Sequence, residues 1–188
     1  MENKTFYFED PKDPQNTDIT FKLAQDRMQE LGINKLVLAS TAGATTKKAM
    51  EFFKGTAVKL IVVTHQYGFV RKENPFPKEL VKELREAGHE VHTATMLFHT
   101  DKLYGTNTPT VMANLLRCFS EGVKVCFEIV LSATDGGYLK NGEKVAAVAG
   151  TGKGADTALI MQASSTQQFK LKVNEILCKP LNELKMEE

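Results

Sequence analysis

Four short segments carry the residue types from which a binding site is built. Ser40-Thr41-Ala42-Gly43-Ala44-Thr45-Thr46 sets four hydroxyls around a glycine between an apolar run and a helix-like run. Such a loop can hold a phosphate: the glycine lets the backbone approach, the hydroxyls donate, and the next helix offers unpaired N–H groups at its positive end. The same composition also serves plain helix N-caps, so two readings stand. Gly150-Thr151-Gly152-Lys153-Gly154-Ala155 matches the letters of the G-x-G-x-x-G/A dinucleotide pattern. That pattern needs a long helix next and an acidic residue about 20 positions on, and a strand-like DTALIMQA follows instead. What is left is a flexible glycine turn from which Thr151, Lys153, Asp156 and Thr157 reach a ligand, or a simple strand connection.

Thr64-His65-Gln66-Tyr67-Gly68-Phe69 brings a hydroxyl, an imidazole and two aromatics to the end of another apolar run. Its aromatics face either a planar ligand ring or the body of the protein. Met96 to Gly105, with His99, Asp101 and Tyr104, reads equally as a lid, a subunit contact or part of a site. Elsewhere the chemistry is thin. His89 and His92 flank or sit in a strand, where i and i+3 point to opposite faces, so no metal is expected there. Cys126 falls on an apolar stripe and reads as a small hydrophobe. Neither GxxxxGK[ST] nor Gly-x-Ser-x-Gly occurs, so nothing points to a P-loop or a hydrolase elbow.

The elements that must position these segments alternate. A helix is expected over Asp18 to Leu31, with Ile19, Leu23, Arg27 and Leu31 on one face, Met28 beside them and Gly32 as C-cap. Strand KLVLAS (Lys35 to Ser40), helix Thr45 to Lys54 and strand VKLIVVT (Val58 to Thr64) follow, then a helix opened by Pro77 and ended by Gly88, then a strand from Glu90 to Thr95. Strand–helix–strand alternation means right-handed crossovers and a parallel sheet covered by helices. The fold class is therefore α/β, three layers, mostly parallel, with KLVLAS and KLIVVT adjacent and central because both are unbroken apolar runs.

Thr110 to Glu121 reads as a helix through Val111, Leu115, Leu116 and Phe119. Val123 to Thr134 fits either period; helix is preferred because Val123, Cys126, Phe127, Val130 and Leu131 form one stripe and Lys124 and Glu128 an i,i+4 charge pair. Asp135-Gly136-Gly137 stops it, and Asn141-Gly142 turns into strand KVAAVA (Lys144 to Ala149). Asp156 to Ala163 and Phe169 to Cys178 are two more strands, and the charged tail from Asn182 to Glu188 is expected to fray.

The chain of 188 residues balances 24 Lys and Arg against 23 Asp and Glu, a net charge of +1 that argues against nucleic acid as partner. No signal-peptide core opens it and no apolar run approaches the roughly 20 residues needed to span a bilayer, so no membrane partner is expected. Three cysteines, Cys118, Cys126 and Cys178, make no even framework, which fits a reducing cytoplasm. With no linker or repeat to divide it, residues 1–188 read as one domain.

LVLASTAGATTKKAMEFF followed by KLIVVTHQ resembles the opening of the pyruvate kinase carboxyl-terminal domain, where the same loop binds the phosphate of a sugar bisphosphate effector. Ser40, Gly43 and Thr45 fall on that loop's hydroxyl and glycine positions and Thr64 ends the second strand as a threonine does there, while Ala42 stands for a hydroxyl residue and Ala44 for an arginine. STAGATT, THQYGF, VCFEIVLSATDGG and VAGTGKGADTA resemble, over nearly the whole chain, an uncharacterised and largely archaeal group of stand-alone proteins of this fold, some of which hold flavin mononucleotide (FMN). The resemblance implies an FMN phosphate resting on Ser40, Thr41, Ala42, Gly43, Ala44 and Thr45. The flavin ring would lie near Thr64, His65, Phe69 and the turn holding Gly150, Thr151, Gly152, Asp156 and Thr157. It also implies self-association, for which Ile160 to Ala163, an apolar segment with no assigned cover, is a further reason. Pyruvate kinase chemistry is not expected, since it belongs to a barrel of about 250 residues. A redox flavoprotein, a non-catalytic sensor of a phosphorylated metabolite and a structural oligomer are the three functions that the site leaves open.

Overall fold

The computed structural model describes residues 4–69 and 73–181, so the charged tail lies outside the described residues. Its seven strands are β1 (Phe6–Phe8), β2 (Lys35–Ala39), β3 (Lys59–Thr64), β4 (Glu90–Thr93), β5 (Lys144–Ala149), β6 (Thr157–Gln162) and β7 (Lys172–Pro180). They form one sheet in the order β1-β7-β6-β5-β2-β3-β4. Strands β5, β2, β3 and β4 run parallel, as do β1 and β7, and β6 is antiparallel to both its neighbours. The apolar runs of β2 and β3 hold the interior positions expected of strands buried on both faces.

Alternation along these strands divides the core in two. Leu36, Leu38, Leu60, Val62, Ala146 and Val148 point to one face and meet α1 (Asn16–Leu31), α2 (Ala44–Phe52) and α3 (Lys78–Glu86). Val37, Ile61, Val63, Val145, Ala147 and Leu159 point to the other and meet α6 (Glu121–Asp135). Helices thus cover both faces, giving the three layers of an α/β fold. The long helix α6 is buried on nearly every side, which explains why its residues satisfied two periods at once. Between β4 and α6 lie a 3-10 turn (Leu97–His99), α4 (Asp101–Tyr104) and α5 (Thr108–Arg117).

The buried side of α1 is Thr17, Thr20, Phe21, Ala24 and Met28; of the residues named from the sequence, Leu23 and Leu31 pack against the core and Ile19 is exposed, and two threonines lie inside because they serve the β5–β6 loop described below. The apolar residues Val111 and Leu115 of α5 face outward, since only Ala113 of that helix is buried. Periodicity tells which residues share a face, not whether another element covers it. Ile160, Met161 and Ala163 are fully buried inside the chain, so this segment gives no reason for self-association. The short strand β1, three residues long, has no counterpart in the sequence reading.

Candidate functional site

Strands β2, β3 and β5 end side by side, and the order reverses around β2, whose chain continuation lies on one side and β5 on the other. Ligands in open α/β sheets sit at such a point, beyond the carboxyl ends of the strands. A cleft of about 600 Å³ opens there. Its walls come from the loops after β2, β3, β4 and β5 and from one side of α6.

The β2–α2 loop forms the first wall. Ser40 continues the ladder, its N–H donating to Val63 O at 3.1 Å, and Gly43 turns the chain into α2 with φ of 88°. No side chain caps α2. The N-cap explanation of these hydroxyls therefore fails, and the first-turn residues Ala44 and Thr45 line the cleft with their backbone end uncovered by a cap. Ser40, Thr41 and Ala42 line it too. Thr46 turns inward, its hydroxyl buried without a partner. Gly43 does not face the ligand space: a Cβ there would lie 2.7 Å from Leu80 Cδ2 and 3.2 Å from Pro77 Cδ, in the packing of α3.

The second wall follows β3. Thr64 is buried, and Asn74 Nδ2 donates to both its Oγ1 (3.2 Å) and His65 O (2.6 Å), which fixes the turn. His65 Nε2 lies 3.2 Å from Thr41 Oγ1, joining this loop to the first. Phe69 does not line the cleft; its ring stands edge-on between His65 and His99, 4.9 Å from each. Burial lowers the pKa of His65 despite the opposing charge of Glu128, so the imidazole is neutral near pH 7.

The third wall is the β5–β6 connection, a hairpin between antiparallel neighbours. It is pinned rather than flexible, which corrects the sequence reading. Ala155 N donates to Thr17 Oγ1 (3.0 Å), Thr20 Oγ1 donates to Ala155 O (3.3 Å), and Asp156 Oδ2 accepts from Thr151 N (2.8 Å). Asp156 Oδ1 accepts from Thr157 Oγ1 at 2.7 Å. Asp156 and Thr157 are buried and spent on the loop itself, and neither they nor Thr151 line the cleft; Gly150, Gly152, Lys153 and Gly154 do.

The fourth wall went unread in the sequence. Glu121, Val125, Glu128, Ile129 and Ser132 form a second stripe on α6 that faces the cleft. Glu128 is 3 % exposed and pairs at 3.0 Å with Lys124, itself 2 % exposed. The i,i+4 spacing alone carries no sign of this burial. Of the segment after β4, Met96 reaches the cleft and its N–H donates to Gln66 Oε1 (2.9 Å). Asp101 ties α4 to α5 through Thr110, and Tyr104 is exposed.

The remaining candidates have local employment. His89 Nδ1 accepts from Leu60 N at 3.3 Å, and the His92 ring packs on Tyr138. Burial holds the Cys126 thiol well above its ordinary range, so it is no thiolate.

No family model matches the chain. Among solved structures it is similar to Cryptosporidium parvum pyruvate kinase in complex with ADP, with 14 % identity and a TM-score of 0.44. The similarity covers 82 % of this chain and 25 % of that one, so the chain spans about a quarter of that enzyme's length. Among the described residues no helix is long and apolar enough to cross a membrane.

Proposed function

We propose that the cleft binds a small phosphorylated molecule, with its phosphate at the first turn of α2 and its body between α6 and the sheet. FMN is the candidate that the family resemblance supplies. The observation that carries this reading is the uncapped start of α2, edged by Ser40, Thr41 and Thr45, opening into a cleft at the strand ends. A volume of about 600 Å³ falls within the usual range for cofactor sites. Val63, Ala94, Val125 and Ile129 supply apolar surface for a flat ring. When bound, a flavin would supply hydride or electron transfer; the protein's part is to hold the phosphate, shield the ring and keep His65 neutral beside it.

A specific observation favours a second reading, a sensor of a phosphorylated metabolite without redox chemistry. Among the described lining residues none is Phe, Tyr or Trp, and the imidazole of His65 is the one aromatic ring among them, a small face for a flavin to stack on. Purification decides between the two. Yellow protein that releases FMN on denaturation, or colourless protein that takes up added FMN to saturation, supports the first. Protein that binds no flavin but is stabilised against heat by a sugar phosphate supports the second. Indifference to both removes the cleft reading and leaves a structural oligomer. Self-association is proposed under every reading, supported by the outward apolar residues Leu103, Val111 and Leu115 of α4 and α5. Light scattering that finds a monomer at high micromolar concentration overturns it.

A further inference from the structure

The helix α6, one wall of the cleft, carries a buried ion pair that the phosphate reading does not use. Two charges taken out of water are costly, and an apolar pair of similar volume at Lys124 and Glu128 would suit so buried a helix as well or better. Their surroundings are fully specified. Glu128 Oε1 accepts from Phe98 N at 3.0 Å and Oε2 accepts from Lys124 Nζ at 3.0 Å. Lys124 Nζ also lies 3.3 Å from His99 Nε2 and 3.7 Å from Glu121 Oε1, so the ammonium has three partners of its own. Glu121 in turn takes Arg117 Nε at 2.6 Å.

A carboxylate accepts at about four lone-pair sites, and protein groups occupy two at Glu128. Glu128 lines the cleft whereas Lys124 does not, so it is the anionic, acceptor-only partner that meets the ligand. Glu121 adds a second carboxylate on the same wall. The cleft thus has opposite polarities: donors at the start of α2, acceptors on α6.

We propose that Glu128, held in place by Lys124, is a specificity-determining residue that accepts hydrogen bonds from hydroxyl or N–H groups on the body of the ligand. The inference rests on the phosphate reading and narrows it: the ligand is a phosphomonoester with a donor-rich body, such as a polyol, and not a polyphosphate, whose further charge would meet Glu121 and Glu128. Lys124 is a positioning residue.

The test uses the whole protein with three probes in calorimetric titrations: ribitol 5-phosphate (donors, no ring), phenyl phosphate (a ring, no donor on its body) and inorganic phosphate. The wild type should prefer ribitol 5-phosphate over phenyl phosphate by about tenfold or more, the worth of a hydrogen bond to a charged group. Glu128→Gln should cut that preference, read as the ratio of the two affinities. Because a lone buried charge can unfold the chain, the double variant Lys124→Met/Glu128→Leu removes both charges together and should abolish the preference while the fold persists. Equal affinity of the wild type for the two esters, or an intact preference in the double variant, overturns the role of Glu128 even though phosphate esters bind. Failure of the wild type to bind any of the three probes overturns the phosphate reading, and this inference with it.

Discussion

Gly43 and Ala44 are neighbours that face different worlds, and substitutions at them should separate folding from binding. An alanine at Gly43 must hold φ near 88° and place its Cβ against Leu80 and Pro77. Gly43→Ala should therefore cost about 1–3 kcal/mol in urea unfolding with little change in ligand Kd. Ala44→Asp puts a carboxylate at the first position of α2, where the helix dipole favours it and a phosphate is proposed to rest. That variant should match or exceed wild-type stability by a few tenths of a kcal/mol, and lose affinity for a phosphate ester by roughly a hundredfold. Unchanged affinity in Ala44→Asp would move the phosphate elsewhere. At this scale the sequence disclosed the loop, because glycine between hydroxyls after an apolar run has few meanings. It misled on Gly43, since a residue type cannot show which way its missing Cβ would point. Nor could it show Glu128: a lysine and a glutamate four apart look the same on a wet face and a buried one.

Among the elements, α6 contributes most to the site and depends on a close approach at its start. A Cβ on Gly122 would lie 2.1 Å from Thr157 Oγ1 and 3.0 Å from Asp156 Oδ1, the groups that close the β5–β6 hairpin. Gly122→Ala must push helix and hairpin apart, at a cost of about 1–3 kcal/mol. It should also raise protection-free amide exchange in Gly150 to Ala155, and hydrogen-exchange mass spectrometry checks this. Wild-type exchange there would mean that the hairpin is held by Thr17 and Thr20 alone. Strands and helices with long patterned runs were legible to within a few residues. The buried side of α1 was not legible from its apolar residues, because Thr17 and Thr20 hold interior places through hydrogen bonds to a loop more than 130 residues away.

For the whole molecule, the four histidines act in the same direction. Burial lowers the pKa of His65, His89, His92 and His99 below the ordinary value of 6.5. In the native state they stay neutral where the unfolded chain already takes up protons, so stability rises with pH in this window. It should be fully present above about pH 7 and fall as the pH drops through 6.5 toward the lowered values. The urea midpoint at pH 5.5 should lie below that at pH 7.5, and His65→Gln should flatten the difference. Glu175, whose pKa the Arg27 guanidinium holds down, adds its own loss only at more acidic pH. A midpoint constant from pH 7.5 to 5.5 would contradict the burial of these rings.

The pairing of β1 with β7 sets an order of events in folding. Phe6 sits opposite Cys178, and among the described residues β1 has no other strand beside it. Strands β2, β3 and β4 can assemble from nearby chain, each crossover closing a short loop. The first strand of the sheet has to wait for the last, an ordering entropy that long-range pairing must meet before it is rewarded. During synthesis on a ribosome, residues 6–8 would therefore remain unpaired until β7 has emerged, leaving Phe8, which the finished fold buries, exposed to whatever passes.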